Sequence, residues 1–193
     1  SRGQEAEAIT AFEAALKLDP ASIDSILSLT ELIAPKDPKR ARAMLERFLS
    51  ANPEHAAKVL LELAKLDAQE SRYKPAIEKL RRAIALDEGE SDPARLTLGQ
   101  VFEVSHDTAA AIEEYRKVLT AIPDDYELWA HIAELEAARG DPGAARAEFL
   151  RLKEKRPDDA VAAAWLASAA ERAGDFAKAA GYLKDSASLK DDP

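Results

Sequence analysis

The sequence predicts an all-α protein built from consecutive helical hairpins, and three observations support this prediction. A short motif recurs every 33 to 35 residues, and each copy opens with a small residue: Ala8, Ala41, Ala76, Ala111, Ala145 and Ala179. Its apolar residues at i, i+1, i+4, i+7 and i+8 form one stripe on a helix of about 3.6 residues per turn. Twelve residues after the alanine, four copies carry a proline that ends the helix: Pro20, Pro53, Pro123 and Pro157.

A second helical window precedes each apolar stripe. The clearest window runs from Tyr126 to Arg139 and stops at Gly140-Asp141-Pro142, and the next, 160–173, stops at Gly174-Asp175. Glycine supplies the left-handed residue that favours a helix end, and the aspartate then caps the following helix. Each repeat is therefore predicted to consist of helix A, a tight turn, helix B and a second turn.

Composition narrows the classes of function. The 193 residues are 47% hydrophobic and 33% charged, with a formal net charge of −9, which is typical of a chain that buries a core. The absence of cysteine excludes disulfides and thiolate metal sites. An acidic balance disfavours nucleic acid as a partner, because affinity for phosphates comes from clustered Lys and Arg. No run of about 18 apolar residues occurs, so no membrane insertion is predicted.

The residues resemble the tetratricopeptide repeat family. That family's pattern has a Leu-Gly pair and an aromatic residue in helix A, then a small residue, an aromatic residue and a closing proline in helix B. One copy matches it closely: Leu98, Gly99, Phe102, Ala111, Tyr115 and Pro123. The copy after it matches nearly as well: Trp129, Ile132, Ala133, Gly140, Ala145, Phe149 and Pro157.

Four positions depart from the family pattern. Asp67 and Glu136 stand where the family prefers an aromatic residue. His106 replaces the turn glycine, and Ser186 replaces a small residue of helix B. These departures concern the regularity of single repeats and leave the architecture unchanged.

The resemblance implies an α-solenoid superhelix with about five full repeats and an N-terminal half-repeat. We expect one repeat domain over 1–193, with helix B alone at 4–20 and repeats at about 22–53, 54–88, 92–123, 124–157 and 158–191. The first helix B has no helix A before it, and the last helix B has no capping helix after it. Both features indicate a fragment of a longer chain. The same open ends make a homo-oligomer plausible.

In this family the A helices line a concave groove, and the resemblance lets the inward positions be counted back from each helix B alanine. The predicted partner-binding residues are Leu27, Leu61, Lys65, Leu96, Gln100, Glu127, His131, Glu134 and Trp165. Lys58 and Lys65 are expected to make one end of the groove basic, and Glu127 and Glu134 the other end acidic. A partly apolar groove can accept an extended or helical peptide. Alternatively, the leucines fill space between A helices and Trp165 seals a terminal repeat.

No catalytic, cofactor or metal site is predicted. Phosphate loops, nucleophile elbows and zinc motifs are absent from the sequence. His131 and Glu134 lie three residues apart on one helix, but two ligands are too few for zinc. Some family members grip terminal carboxylates with Lys, Arg and Asn. Here the corresponding positions hold Lys58, Lys65, Gln100 and Glu134, so that clamp is not expected.

The leading hypothesis is a protein-interaction scaffold that binds a partner peptide or protein in the groove, within a larger assembly. The alternatives are a self-assembling oligomeric scaffold and the regulatory arm of an enzyme whose catalytic part lies outside this segment. The alanine-rich, cysteine-free composition points to a bacterial source. It leaves the compartment open between cytoplasm and periplasm.

Overall fold

The structure is a computed structural model that describes residues 2–87 and 92–188. These residues form eleven α-helices and no strand. The helices are α1 Arg2–Leu18, α2 Ile23–Ile33, α3 Pro38–Ala51, α4 Ala56–Gln69, α5 Tyr73–Leu86, α6 Asp92–Val104, α7 Thr108–Ala121, α8 Tyr126–Ala138, α9 Pro142–Lys155, α10 Ala160–Arg172 and α11 Phe176–Ser188. A short 3₁₀ turn, Pro53–His55, precedes α4.

The helices follow the predicted order of A and B helices, and the predicted all-α helical repeat solenoid is confirmed. Helix α1 is the predicted half-repeat, and the helices from α2 to α11 follow it in the alternating order of A and B helices. The predicted bounds of the single repeats stay a prediction. Glu88 and Asp191, the predicted last residues of two repeats, lie outside the described residues.

The prolines end helices as predicted. Helices α3, α7 and α9 each end two residues before a proline. The residue between helix and proline has left the helical region, with ψ of 69°, 71° and 84°: Asn52, Ile122 and Arg156. This is expected, because the ring of a proline disfavours the α conformation of the residue before it.

Left-handed residues occupy four of the turns between helices A and B. Gly140 and Gly174 have φ of 86° and 76°, and the side-chain oxygens of Asp141 and Asp175 then cap α9 and α11. His106, which replaces the turn glycine, adopts φ of 66°. Ser71 occupies the equivalent turn between α4 and α5 with φ of 59°. The turn geometry is therefore retained even where a side chain makes it costly.

Replacing Gly140 by Ala is expected to destabilise the protein by about 1 kcal/mol, because a Cβ disfavours positive φ. No steric clash adds to this cost, since a Cβ at Gly140 meets no atom within 4 Å. Ser71→Gly is expected to stabilise the protein by about 0.5–1 kcal/mol, because it removes the same strain. Urea unfolding measures both changes, and a loss of stability in Ser71→Gly would contradict this account.

The chain forms two compact units, residues 1–106 and 107–193. A core cluster in unit 1 is built from α2, α3 and α4, and α1 packs onto it through Ile9, Phe12 and Leu16. A core cluster in unit 2 gathers Phe149, Leu152 and Leu166 from α9 and α10. Four of the six opening alanines are fully buried, at 0% exposure: Ala41, Ala76, Ala111 and Ala145. The prediction of one domain over 1–193 stays a prediction.

Asp67 is a buried carboxylate within unit 1. It lies on α4 with 1% of its side chain exposed. Its oxygens lie 2.9 Å from Arg42 of α3 and 2.6 Å from Lys79 of α5, and they also accept a hydrogen bond from Arg72. The position where the family prefers an aromatic residue is thus filled by a carboxylate with three cationic partners.

Glu136 takes the corresponding place in unit 2. This glutamate of α8 is buried and lies 3.1 Å from Arg116 of α7 and 2.8 Å from Arg139. Arg116 also lies 3.0 Å from the buried Glu148 of α9. One guanidinium therefore joins carboxylates of two further helices.

Asp67→Ala is expected to destabilise the protein by about 3–5 kcal/mol, because it leaves partly buried cations without their counter-ion. The control is Glu13→Ala, which removes the exposed 2.7 Å pair with Arg40 and should cost no more than about 1 kcal/mol. Thermal and urea unfolding measure both variants. Equal losses in the two variants would contradict a special role for the buried carboxylate.

Candidate functional site

Two adjoining cavities lie along the A helices of unit 1. The first, of about 480 Å³, separates α2 from α4, and its lining includes Asp24, Leu27, Glu31, Glu62, Lys65 and Gln69. The second, of about 460 Å³, lies between α4 and the start of α6, and its lining includes Leu27, Lys58, Leu61, Glu62, Asp87 and Pro93. Leu27 and Glu62 line both cavities. We refer to the two cavities together as the unit 1 groove.

The unit 1 groove contains three of the five predicted partner-binding residues of this unit. Leu27, Leu61 and Lys65 line it, and both leucines are half-buried, so each presents apolar surface to the cavities. Leu96 and Gln100 lie on α6 outside the lining of either cavity. The structure therefore brings together the predicted residues of α2 and α4.

Asp24, Glu31 and Asp87 line the unit 1 groove but were not predicted from the sequence. Asp24 lies three residues before Leu27 and Glu31 four residues after it, which places all three on one face of α2. The predicted groove positions lie at a few fixed distances before each helix B alanine, and these three acids lie at other distances. The spacing to Leu27 is the signal that could have found the two acids of α2. Asp87 follows helix α5, and its place at the groove depends on tertiary packing.

The charge of the unit 1 groove differs from the basic character expected from Lys58 and Lys65. The Nζ of Lys65 lies 2.7 Å from the Oε1 of Glu62, so this cation is compensated within its own helix. Among the residues that the structure describes, four carboxylates and two ammonium groups line the two cavities, which gives a net charge of −2: Asp24, Glu31, Glu62 and Asp87 against Lys58 and Lys65. The unit 1 groove is therefore acidic.

The predicted residues of unit 2 lie on its A helices. Glu127 and Glu134 are exposed on α8. His131 is half-buried, with its ring centroid 5.5 Å from that of Tyr115 in an edge contact. Trp165 of α10 stacks on Phe149 at 4.7 Å, so one face of its indole belongs to the core of unit 2.

Two smaller cavities of unit 2 lie around a different tryptophan. They measure about 200 and 180 Å³, and both are lined by Trp129 of α8 together with Arg151 of α9. Trp129 is half-buried, and its Nε1 donates a hydrogen bond of 3.0 Å to the carbonyl oxygen of Pro123. None of the predicted partner-binding residues lines these cavities.

Tyr126, at the start of α8, lines the smaller of these cavities. Desolvation raises the pKa of its hydroxyl, and the Asp124 carboxylate, which accepts its hydrogen bond at 3.2 Å, raises that pKa further. The Arg156 guanidinium, 5.4 Å from the ring centroid, acts in the opposite direction. The hydroxyl therefore stays protonated at neutral pH and remains a hydrogen-bond donor.

Trp129→Ala is expected to destabilise the protein by about 1.5–3 kcal/mol, because only part of the indole surface is buried. The fully buried Phe149 is the matched comparison, and Phe149→Ala is expected to cost about 3–5 kcal/mol. Urea unfolding of both variants checks this order. A larger loss for Trp129→Ala would show that this tryptophan is a core residue after all.

The residues that the structure describes contain neither a candidate metal site nor a membrane-spanning helix. Within 2–87 and 92–188, no group of three or more His, Asp or Glu side chains is arranged to hold a metal ion. No helix in these ranges is both long enough and apolar enough to cross a membrane.

The order of helices and the cavities of unit 1 define a helical-repeat protein. Sequence profiles described as tetratricopeptide repeat match residues 36–122, 105–169 and 1–22, which together cover most of the chain. The chain therefore belongs to the tetratricopeptide repeat family. Its fold is that of a protein-interaction scaffold, a class that is typically non-catalytic.

Solved structures and a curated relative resemble the chain. The crystal structure of MamA shares 25% identity, covers 82% of this chain and 94% of its own, and has a TM-score of 0.64. The structure of Pseudomonas aeruginosa pilF shares 23% identity, covers 94% and 82%, and has a TM-score of 0.70. The N-terminal acetyltransferase B complex auxiliary subunit NAA25 of Arabidopsis thaliana is 29% identical over 92 residues, which are 47% of this chain and 8% of that protein. The match thus spans a small part of the curated relative.

Proposed function

We propose that this chain is a protein-interaction scaffold that binds an extended or helical segment of a partner protein in the unit 1 groove. One observation carries the proposal: half-buried Leu27 and Leu61 line two adjoining cavities of about 480 and 460 Å³. Space of this size beside exposed aliphatic surface accepts apolar side chains of a peptide. A scaffold needs no catalytic residue or cofactor, and we propose none. Nucleic acid is not among the proposed partners.

The expected affinity is moderate. Micromolar binding corresponds to about −8 kcal/mol, and each aliphatic side chain that leaves water contributes about 1.5–3 kcal/mol before the costs of association. A few apolar side chains of the peptide that pack on Leu27 and Leu61, together with polar contacts, are sufficient for micromolar affinity. The remaining predicted contacts belong to the same proposal with less weight, because none lines the unit 1 groove or the two cavities around Trp129: Leu96, Gln100, Glu127, His131, Glu134 and Trp165.

Leu61→Glu and Leu27→Glu are expected to weaken peptide binding by more than about tenfold, because a carboxylate replaces the apolar anchor. Peptides would first be selected from a random phage-displayed library on the wild-type protein and then titrated by fluorescence anisotropy. Circular dichroism would verify that each variant remains helical.

The control for this experiment is Leu18→Glu, since Leu18 is 89% exposed and lines neither cavity of the unit 1 groove. It should change affinity less than about twofold. Peptides that bind all three variants equally, or a library that yields no binder, would contradict the proposed site.

A second candidate function is an auxiliary arm of an enzyme complex whose catalytic part lies on another chain or segment. It is favoured by the likeness of 92 residues to an acetyltransferase auxiliary subunit. The test is co-purification from the source cells. If a catalytic subunit purifies together with the wild-type protein but not with Leu61→Glu, this role is supported. A bacterial source stays a prediction from composition.

Self-assembly is the remaining alternative. Leu18 on α1 and Phe176 on α11 are large apolar residues with 89% and 70% of their surface exposed. Light scattering at two protein concentrations tests this alternative, because a mass that rises with concentration requires association.

A further inference from the structure

We infer that the segment bound in the unit 1 groove is basic, with Lys or Arg side chains next to an aliphatic anchor. This inference rests on the proposed function, because it names the partner chemistry of the same groove. It depends on the arrangement of charges around Leu27 and Leu61.

The two acids of α2 flank the apolar contact. Asp24 and Glu31 lie on either side of Leu27 along one helix face, about 10 Å apart along the axis. Both side chains are exposed, and neither makes a hydrogen bond or ion pair with any residue in 2–87 or 92–188. An aliphatic side chain seated on Leu27 therefore brings its neighbours in the peptide close to two carboxylates without counter-ions.

The opposite wall does not offset this charge. Glu62 of α4 lines both cavities, and its oxygen lies 2.7 Å from Lys65, so this pair contributes no net charge. Asp87 and Lys58 line the second cavity and carry opposite charges. Over the described lining of the two cavities, the net charge of −2 therefore resides in Asp24 and Glu31.

This charge distribution selects among partners. Potentials of one sign within a cleft raise the local concentration of oppositely charged ligands. Complementary charge mainly sets specificity and association rate, while the apolar anchor supplies most of the affinity. A basic segment gains on both counts, whereas an acidic segment places like charges beside Asp24 and Glu31.

The test uses three pools of short fluorescein-labelled peptides. In each pool Leu, Ile or Val alternates with one kind of residue: Lys and Arg, Asp and Glu, or Ser and Gln. Anisotropy titrations in about 0.15 M salt should give the basic pool a dissociation constant about tenfold or more below that of the neutral pool. The acidic pool should bind more weakly than the neutral pool.

Variants of the protein then locate the charge. The double variant Asp24→Asn, Glu31→Gln should weaken binding of the basic pool about three- to tenfold and leave the neutral pool unchanged. The matched control is Glu46→Gln, Glu78→Gln, which removes two exposed carboxylates of α3 and α5 outside the unit 1 groove. This control should change binding of the basic pool less than about twofold.

Leu61→Ser separates the inference from the proposed function. If the neutral or acidic pool binds as tightly as the basic pool and Leu61→Ser abolishes that binding, the basic partner is wrong and the groove stands. If the control double variant weakens the basic pool as much as Asp24→Asn, Glu31→Gln does, the overall protein charge attracts the peptides and the inference fails. If Leu61→Ser leaves binding of every pool unchanged, or no pool binds, both the inference and the proposed function fail.

Discussion

The close approach of helices A and B at one small residue is the constraint on which the rest of this protein depends. Ala41, Ala76 and Ala145, which lie near the start of α3, α5 and α9, are completely buried, and a longer side chain there would force the two helices of a hairpin apart. A hairpin closed in this way still has apolar surface to cover, so it packs against the next hairpin. Within unit 1 this packing leaves faces of α2 and α4 lining the two cavities of the groove.

Buried ion pairs occupy two positions where the family prefers an aromatic residue. Asp67 and Glu136 replace them in units 1 and 2, and each draws a cation from the B helix of the preceding repeat, Arg42 and Arg116. A buried carboxylate is tolerated only if its counter-ions are held at the right positions. The two substitutions therefore tie neighbouring repeats together through ion pairs in place of an aromatic contact.

The unit 1 groove illustrates how pairing changes the meaning of a charged residue. The sequence predicts Lys65 as a basic contact of the groove, but its ammonium group forms an ion pair with Glu62 one helical turn away. Asp24 and Glu31 read as ordinary solvent-exposed residues, yet they flank Leu27 in the first cavity. The character of the groove thus follows from which charges are paired and which are left without a counter-ion, a property that composition does not contain.

The sequence by itself determined the features that depend on neighbours in the chain: the repeat period, the helix ends before Pro53, Pro123 and Pro157, and the left-handed turn at Gly140. It also placed Leu27 and Leu61 on one surface, because equivalent positions of successive repeats lie on the same face of their A helices. Tertiary structure alone decided the partial exposure of Trp129, the three cations around Asp67 and the place of Asp87 at the groove. These depend on how separate helices pack against one another, which no local pattern specifies.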